Sequence, residues 1–339
     1  MSNNRYHSSS KRRTPWDGKK VLSPVQSFIK SNYLDTYYDR HPELKSTNEA
    51  DLINSFSPKC CGHCGSIDFK KNGFTSNGIQ RYRCADCRRS FTVLTGTLFE
   101  DHRISISEWI EYLLNLFGYV SFRSTSRNSR IADSTVKYWL FKLFEVLKHY
   151  QDDIVLAGDV YIDETFYKVV KKDIRKNDKG YVNMESNQYC IGIGYDLKKV
   201  YCRSQGLAKH TSTKRTLETF LDHIEPGSHL IHDQDHSHTA LVDQLGLSSS
   251  AHNSKECRST KESDNPLKPI NDQCSLLKQF LNSHRGFSRD YLQDYLNLYA
   301  FIANPPYDRL EKIEYLIIRG ISTPKIIRYR DVMSKKPSK

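Results

Sequence analysis

Two stretches of this chain set carboxylates inside apolar, strand-like runs, and this limits the possible folds more than any other feature. The first is Asp159-Val-Tyr-Ile-Asp163-Glu164-Thr-Phe-Tyr-Lys168, whose β-branched and aromatic residues suit a pleated strand from Val160 to Phe166. Asp163 and Glu164 have no basic residue beside them. Acids are rarely placed in such a run unless they are paired or hold a cation, because burying a bare charge is costly. The second run, Ser228-His-Leu-Ile-His-Asp233, also ends on an acid and leads into Gln234-Asp235-His236-Ser237-His238. Two readings stay open here. Either Asp163 and Asp233 lie side by side on neighbouring strands and share divalent metal, or one belongs to a buried ion pair and the other to a turn.

The pattern around these runs is mixed α/β from Ala157 on. Gln188–Tyr195 and Lys199–Arg203 read as a hairpin turning at Asp196-Leu-Lys, Thr213 to Ile224 as a helix closed by Pro226-Gly227, and Ser237 to Leu245 as a helix ending at Gly246. Residues 168–187 are a charged insertion with the composition of a surface hairpin. A further dense stretch, Asp264-Asn-Pro-Leu-Lys-Pro269-Ile-Asn271, precedes a helix for which Asn271 is a candidate N-cap. Lys278 lies two turns later, close to the same helix face. A long helix from Arg289 to Ile302 is rich in aromatic residues and reads as core packing.

Upstream, Cys61-Gly-His-Cys64 and Cys84-Ala-Asp-Cys87 are separated by nineteen residues. Each CxxC puts two thiolates on one tight turn, and two such turns complete a four-sulfur zinc site. Short strands between them, with Asn-Gly turns, complete the pattern of a zinc ribbon over residues 58–92. Its surface carries Arg83, Arg88 and Arg89, suited to a nucleic-acid backbone. Residues 105–150 are helical. A short Arg- and Ser-rich helix from Phe122, a turn near Asp133 and a basic-aromatic helix from Thr135 have the outline of a helix-turn-helix, with Arg123, Arg127, Arg130, Lys137 and Lys142 as candidate DNA contacts. The alternative is a plain helical bundle with Trp139 and Phe144 in its core. Residues 1–57 read as a disordered basic tail with a short helical lead-in, and 307–339 as a basic C-terminal tail.

Lys and Arg number 51 against 39 acids, a net charge of +12, which suits a polyanionic partner. Nine cysteines, four of them in paired CxxC form, favour metal in a reducing compartment over a disulfide scaffold. No apolar run is long enough to span a bilayer and no signal peptide is visible, so the expected location is cytoplasmic.

Taken together, CGHC…NGIQRYRCADC, TGTLF (95–99), YIDETFY (161–167), LIHDQDHSH (230–238), DNPLKPIN (264–271), LLKQFL (276–281) and the 285–306 run resemble bacterial insertion-sequence transposases of the ISXO2-like group. The resemblance implies a multidomain α+β protein: zinc ribbon, helix-turn-helix region, and a ribonuclease-H-like catalytic domain over 157–306 of the DDE class, with Asn in third place. Carried onto this sequence, it implies Asp163, Asp233 and Asn271 as catalytic residues and ligands of Mg2+ or Mn2+, with Lys278 as the basic residue that follows. Cys61, Cys64, Cys84 and Cys87 would hold structural Zn2+. A neutral amide is a poorer metal ligand than Glu, and Glu164, Asp235 and Asp272 are nearby carboxylates that could substitute. The implied activity is metal-dependent cleavage and strand transfer of double-stranded DNA at terminal inverted repeats, in a homodimer or larger assembly. Two rival functions remain: a zinc-ribbon and helix-turn-helix regulator without catalysis, and a ribonuclease-H-like nuclease.

Overall fold

The structure is a computed structural model that describes residues 49–100, 106–129, 131–171, 174–176, 178–183, 187–208, 210–284 and 286–333. The expected basic N-terminal tail, the candidate DNA contact Arg130 and the last residues of the chain lie outside these. The chain divides into two compact units, one of residues up to 142 together with 313 onward, the other of 143–312.

The first unit opens with helix α1 (Glu49–Asn54), followed by a three-stranded antiparallel ribbon, β1 (Phe69–Phe74), β2 (Gln80–Cys84) and β3 (Ser90–Phe91). Of the two Asn-Gly pairs, Asn77-Gly78 makes the hairpin turn, with Gly78 at φ +78°, a conformation that favours glycine. Asn72-Gly73 instead sits inside β1, where the pairing register shifts between Lys71 and Phe74. A ribbon this small has little to bury. Phe69, Tyr82 and Phe91 pack with ring centroids 5.3–5.6 Å apart, and cysteines supply the rest of its core.

Three helices follow, α2 (Ile106–Phe117), α3 (Phe122–Ser129) and α4 (Asp133–Leu147). Trp109, Tyr112, Leu113, Val136 and Trp139 are buried, and Tyr112 meets Trp139 edge to face. Arg123, Arg127 and Lys137 are exposed. Lys142 departs from its expected role as a DNA contact: it is buried, its ammonium donates to the Leu98 carbonyl, and it lies 4.8 Å from the Tyr138 ring centroid. Burial lowers its pKa to about 8. A lysine held this way cannot reach a phosphate.

The second unit is built on a mixed sheet of β4 (Asp159–Lys168), β5 (Gln188–Tyr195), β6 (Val200–Leu207), β7 (His229–Asp233) and β8 (Ser248–His252), in the order β6-β5-β4-β7-β8. β5 runs antiparallel to both its neighbours, while β4–β7 and β7–β8 pair parallel. The three antiparallel strands β4, β5 and β6, then a helix and a further strand, agree with the order of elements expected from sequence. β8, Ser-Ser-Ser-Ala-His, has no apolar alternation and was not expected from sequence. It is a polar edge strand recruited by β7. In the insertion, Lys176 and Val182 form an isolated antiparallel bridge.

Helices α5 (Thr213–Phe220) and α6 (Thr239–Leu245) supply Phe220 and Leu241 to a core with Val160, Ile162 and Leu230. α6 stops at Gly246, whose left-handed φ of +60° ends the helix. After the short helix α7 (Ser254–Ser259) come α8 (Lys268–Ser283) and α9 (Leu292–Ala303). α8 contacts β4 and β5, and Tyr167 Oη donates to the Leu281 carbonyl at 3.1 Å. Asn271 does not cap α8. The helix starts at Lys268, Pro269 occupies its first turn, where a missing N–H costs nothing, and the Asn271 N–H bonds the Leu267 carbonyl at 3.0 Å.

The outer edge of β6 is closed by side-chain amides. Asn304 accepts from the Val200 N–H (2.6 Å) and donates to its carbonyl (2.9 Å); Gln151 does the same for Cys202 (2.7 and 2.9 Å). Gln293 accepts from the Ser204 N–H at 2.9 Å. Residues 309–322, expected within a basic tail, form helix α10 (Arg309–Ser322), because Ile313, Leu316, Ile317 and Ile321 recur at helical spacing and are buried. A short helix α11 (Tyr329–Met333) ends the described chain.

At Gly194, the next-to-last residue of β5, an added Cβ would stand 2.6 Å from Leu156 Cδ1 and 3.3 Å from Phe220 Cε1. Overpacking of this kind costs about 1–3 kcal/mol. Gly194→Ala is expected to lose that much in urea unfolding of the full chain; an unchanged midpoint would refute this close packing.

Candidate active site

Strand β4 changes its covered side at the acids. Val160 and Ile162 are buried before them, and Thr165 and Tyr167 after them, leaving Asp163 and Glu164 half-covered. The ladder between β4 and β7 pairs Asp159, Val160 and Tyr161 with His229, Leu230 and Ile231, and ends there. Asp163 and Asp233 each lie two residues beyond the last pair, at matching positions on adjacent strands. The β7–β8 ladder continues to Asp233, paired with His252, so β7 itself stays anchored on its far side.

Asp163 Oδ1 accepts the Glu164 N–H at 2.8 Å, and Oδ2 lies 3.6 Å from Cys274 Sγ. Burial, then Glu164, then Asp233 raise the Asp163 pKa to about 6. Asp233 Oδ1 accepts the Asp235 N–H at 3.2 Å, and Oδ2 the Ser254 hydroxyl at 3.4 Å. Asn271, Cys274 and Lys278, at i, i+3 and i+7 of α8, share one face of that helix. Since Cys274 touches Asp163, this face is turned to the carboxylates, and Lys278 is close enough to act on the Cys274 thiol. Asn271 and Lys278 are exposed, and among the described residues no hydrogen bond ties either side chain to the two aspartates.

Two further groups belong to this place. Cys274 reads from sequence as an incidental thiol, yet burial, then Asp163, holds it well above the usual thiol range, so it packs and donates without ionising. The histidines read from sequence mainly as strand-end and helix-start residues. In the fold His238 is fully buried, with Nε2 3.3 Å from Glu164 Oε2, Nδ1 3.7 Å from Asp233 Oδ1 and Nδ1 3.0 Å from His232 Nδ1. Burial by itself lowers the His238 pKa, but Glu164 outweighs it and holds the group above its usual value; burial and then His238 bring His232 down to about 4. Three histidines within six residues of an acid are the sequence signal for this cluster.

The donor set suits a hard divalent cation. Asp163 and Asp233 repel each other, and among the described residues neither has a Lys or Arg ion-pair partner. A cation between them would relieve the repulsion that now raises Asp163.

In the ribbon, Cys61 and Cys87 place their sulfurs 3.7 Å apart, and Cys64 and Cys84 3.6 Å apart. All four lie within 4.8 Å of one another. Zn–S arms of about 2.3 Å in a tetrahedron put sulfurs roughly 3.8 Å apart, so the cluster is compatible with zinc. Arg83, Arg88 and Arg89 are exposed around it. No helix among the described residues is long and apolar enough to cross a membrane.

Residues 155–304 match the ISXO2-like transposase domain family. No curated protein matches the chain. Among solved structures, the catalytic domain of Mos1 mariner transposase is similar over 56% of this chain and 93% of that one, at 13% identity and TM-score 0.27. The Mos1 strand transfer complex is similar over 88% and 98%, at 13% identity and TM-score 0.28. The family match covers residues 155–304, a little under half of the chain.

Proposed function

We propose that the chain is a DNA transposase that binds terminal inverted repeats and catalyses metal-dependent end cleavage and strand transfer. The observation that carries this reading is the meeting of Asp163 and Asp233 at the open end of the β4–β7 ladder, inside a transposase-family domain. Asp163, Asp233 and Asn271 would hold Mg2+ or Mn2+ there, two ions in the full site, which would supply activation of water or a 3′-OH and charge neutralisation on the phosphate.

This chain's own groups do the rest. The two aspartates fix the site on a rigid sheet. Lys278, exposed on the face of α8 that Cys274 turns to Asp163, meets the phosphate beside the scissile bond. Cys274 shields Asp163 on one side from water. The ribbon, with Arg83, Arg88 and Arg89, and a helix-turn-helix of α3 and α4, with Arg123, Arg127, Arg130 and Lys137, grip the element's ends. Joining two ends in one event calls for at least a dimer on DNA. A regulator without catalysis leaves the Asp163–Asp233 pair without a purpose, and a nuclease has no need of paired ends.

The decisive test is nicking and joining of end-bearing duplex DNA with Mg2+. A site that stabilises the transition state by several kcal/mol loses about a thousandfold in rate when a ligand is removed. Asp163→Ala and Asp233→Ala are expected to lose both steps by that factor while binding DNA normally. A wild type that nicks and never joins is a nuclease, and one that does neither is a regulator. Separately, Cys84→Ser is expected to lose bound zinc by elemental analysis, weaken end binding and flatten its salt dependence, and leave the sheet of the catalytic unit intact. Undiminished end binding by this variant would remove the ribbon from DNA recognition.

A further inference from the structure

The two catalytic strands are not joined by backbone at the level of the catalytic pair. The β4–β7 ladder ends at Tyr161 and Ile231, and beyond it another contact must hold the strands at their spacing. A side-chain link crosses at this level. Glu164, next to Asp163 on β4, reaches His238 Nε2 at 3.3 Å, and a carboxylate can only accept, so the imidazole donates. From His238 the contact runs 3.0 Å to His232 Nδ1, and His232 Nδ1 donates to the backbone carbonyl of Asp233 itself. His232 Nε2 then meets Ser249 Oγ on β8 at 2.8 Å. The chain of contacts therefore ties β4 to β7 and β8 and passes through the residue that carries the second catalytic carboxylate.

Its burial shows that the link is built in. The His238 side chain has no exposed surface and that of Glu164 only 8%. Glu164 Oε1 is buried with no hydrogen-bond partner, so His238 is the one group compensating this carboxylate among the described residues. An isolated buried carboxylate is strongly disfavoured. Glu164 points to the opposite side of β4 from Asp163, as alternation along a strand requires. It braces the site without standing among the ligands.

We infer that Glu164 and His238 form a positioning bridge that sets the separation of Asp163 and Asp233, and with it the affinity of the pair for divalent cations. The inference rests on the proposed reading of those aspartates as metal ligands. Partners behind a ligand typically contribute 10–100-fold in metal affinity.

The test is Mn2+ binding to the full-length, zinc-loaded protein, followed by electron paramagnetic resonance without DNA, with Asp163→Asn plus Asp233→Asn defining the background. His238→Leu and Glu164→Met, the latter keeping side-chain length and removing the acceptor, are each expected to weaken specific Mn2+ binding about 10–100-fold. His238→Gln, whose amide can still donate to Glu164, is expected to recover most of it. The double variant Glu164→Met with His238→Leu should be no weaker than either single variant, as for two halves of one link. Wild-type Mn2+ affinity in both single variants, or no recovery with Gln, overturns the bridge; thermal melting of each variant keeps misfolding apart from these outcomes, and Glu164→Met decides if His238→Leu does not fold. Wild-type protein that binds Mn2+ at the aspartates yet neither nicks nor joins DNA refutes the transposase reading and leaves the bridge to the resonance measurement.

Discussion

Repulsion between carboxylates shapes the second unit. Asp163, Glu164 and Asp233 are gathered at one end of a parallel strand pair, with no lysine or arginine among the described residues to neutralise them. Burying like charges together is unfavourable, and the fold meets that cost with particular contacts. Glu164 is turned to the opposite side and given a histidine. Asp233 is given an N–H from Asp235 and the Ser254 hydroxyl. Asp163 receives one backbone N–H and a thiol, and is left above its ordinary carboxylate range. The residue least compensated by protein is thus the one that stands to gain most from a cation.

The sheet is arranged to leave this end open. Parallel strands β4 and β7 are held together through Tyr161 and Ile231, while the β4–β5 pairing runs on past Asp163 and the β7–β8 pairing reaches Asp233. A rigid frame on both sides and a gap in the middle give the carboxylates fixed positions and room between them. Glycines in β5 serve the same end. At Gly192 a side chain would strike Gln205, Thr219 and Phe220, so its absence lets α5 lie close under the strand that backs Glu164.

Much of this was legible before the fold was known. Asp163 and Asp233 stand out because a charge in an apolar strand needs a reason, and the paired CxxC motifs because their spacing fits few structures other than a ribbon. The mixed α/β character of the second unit follows from the alternation of strand-like and helix-like runs, whereas the strand order emerges only in the fold. What escaped had weak local signals. β8 is serine-rich, and its pairing is decided by β7 rather than by its own pattern. Lys142 looked like one more basic residue on a DNA-facing helix, and only the fold shows its ammonium turned onto the Leu98 carbonyl. Asn271 followed a proline and looked like a cap, whereas proline is tolerated within the first turn, so the helix starts earlier. His238 was hidden by its polar neighbours, since a histidine's burial depends on contacts made far away along the chain.

The amides that close β6 bear on how copies of this protein can come together. A bare strand flank invites another chain to dock its backbone there and extend the sheet, which is a route to runaway polymerisation. Here Asn304, Gln151 and Gln293 already occupy the outward groups of Val200, Cys202 and Ser204. Because the occupants are side chains with no strand of their own, they present nothing for a newcomer to pair with. A second copy of the chain is thereby denied that margin as a meeting ground, and any association is left to other surfaces.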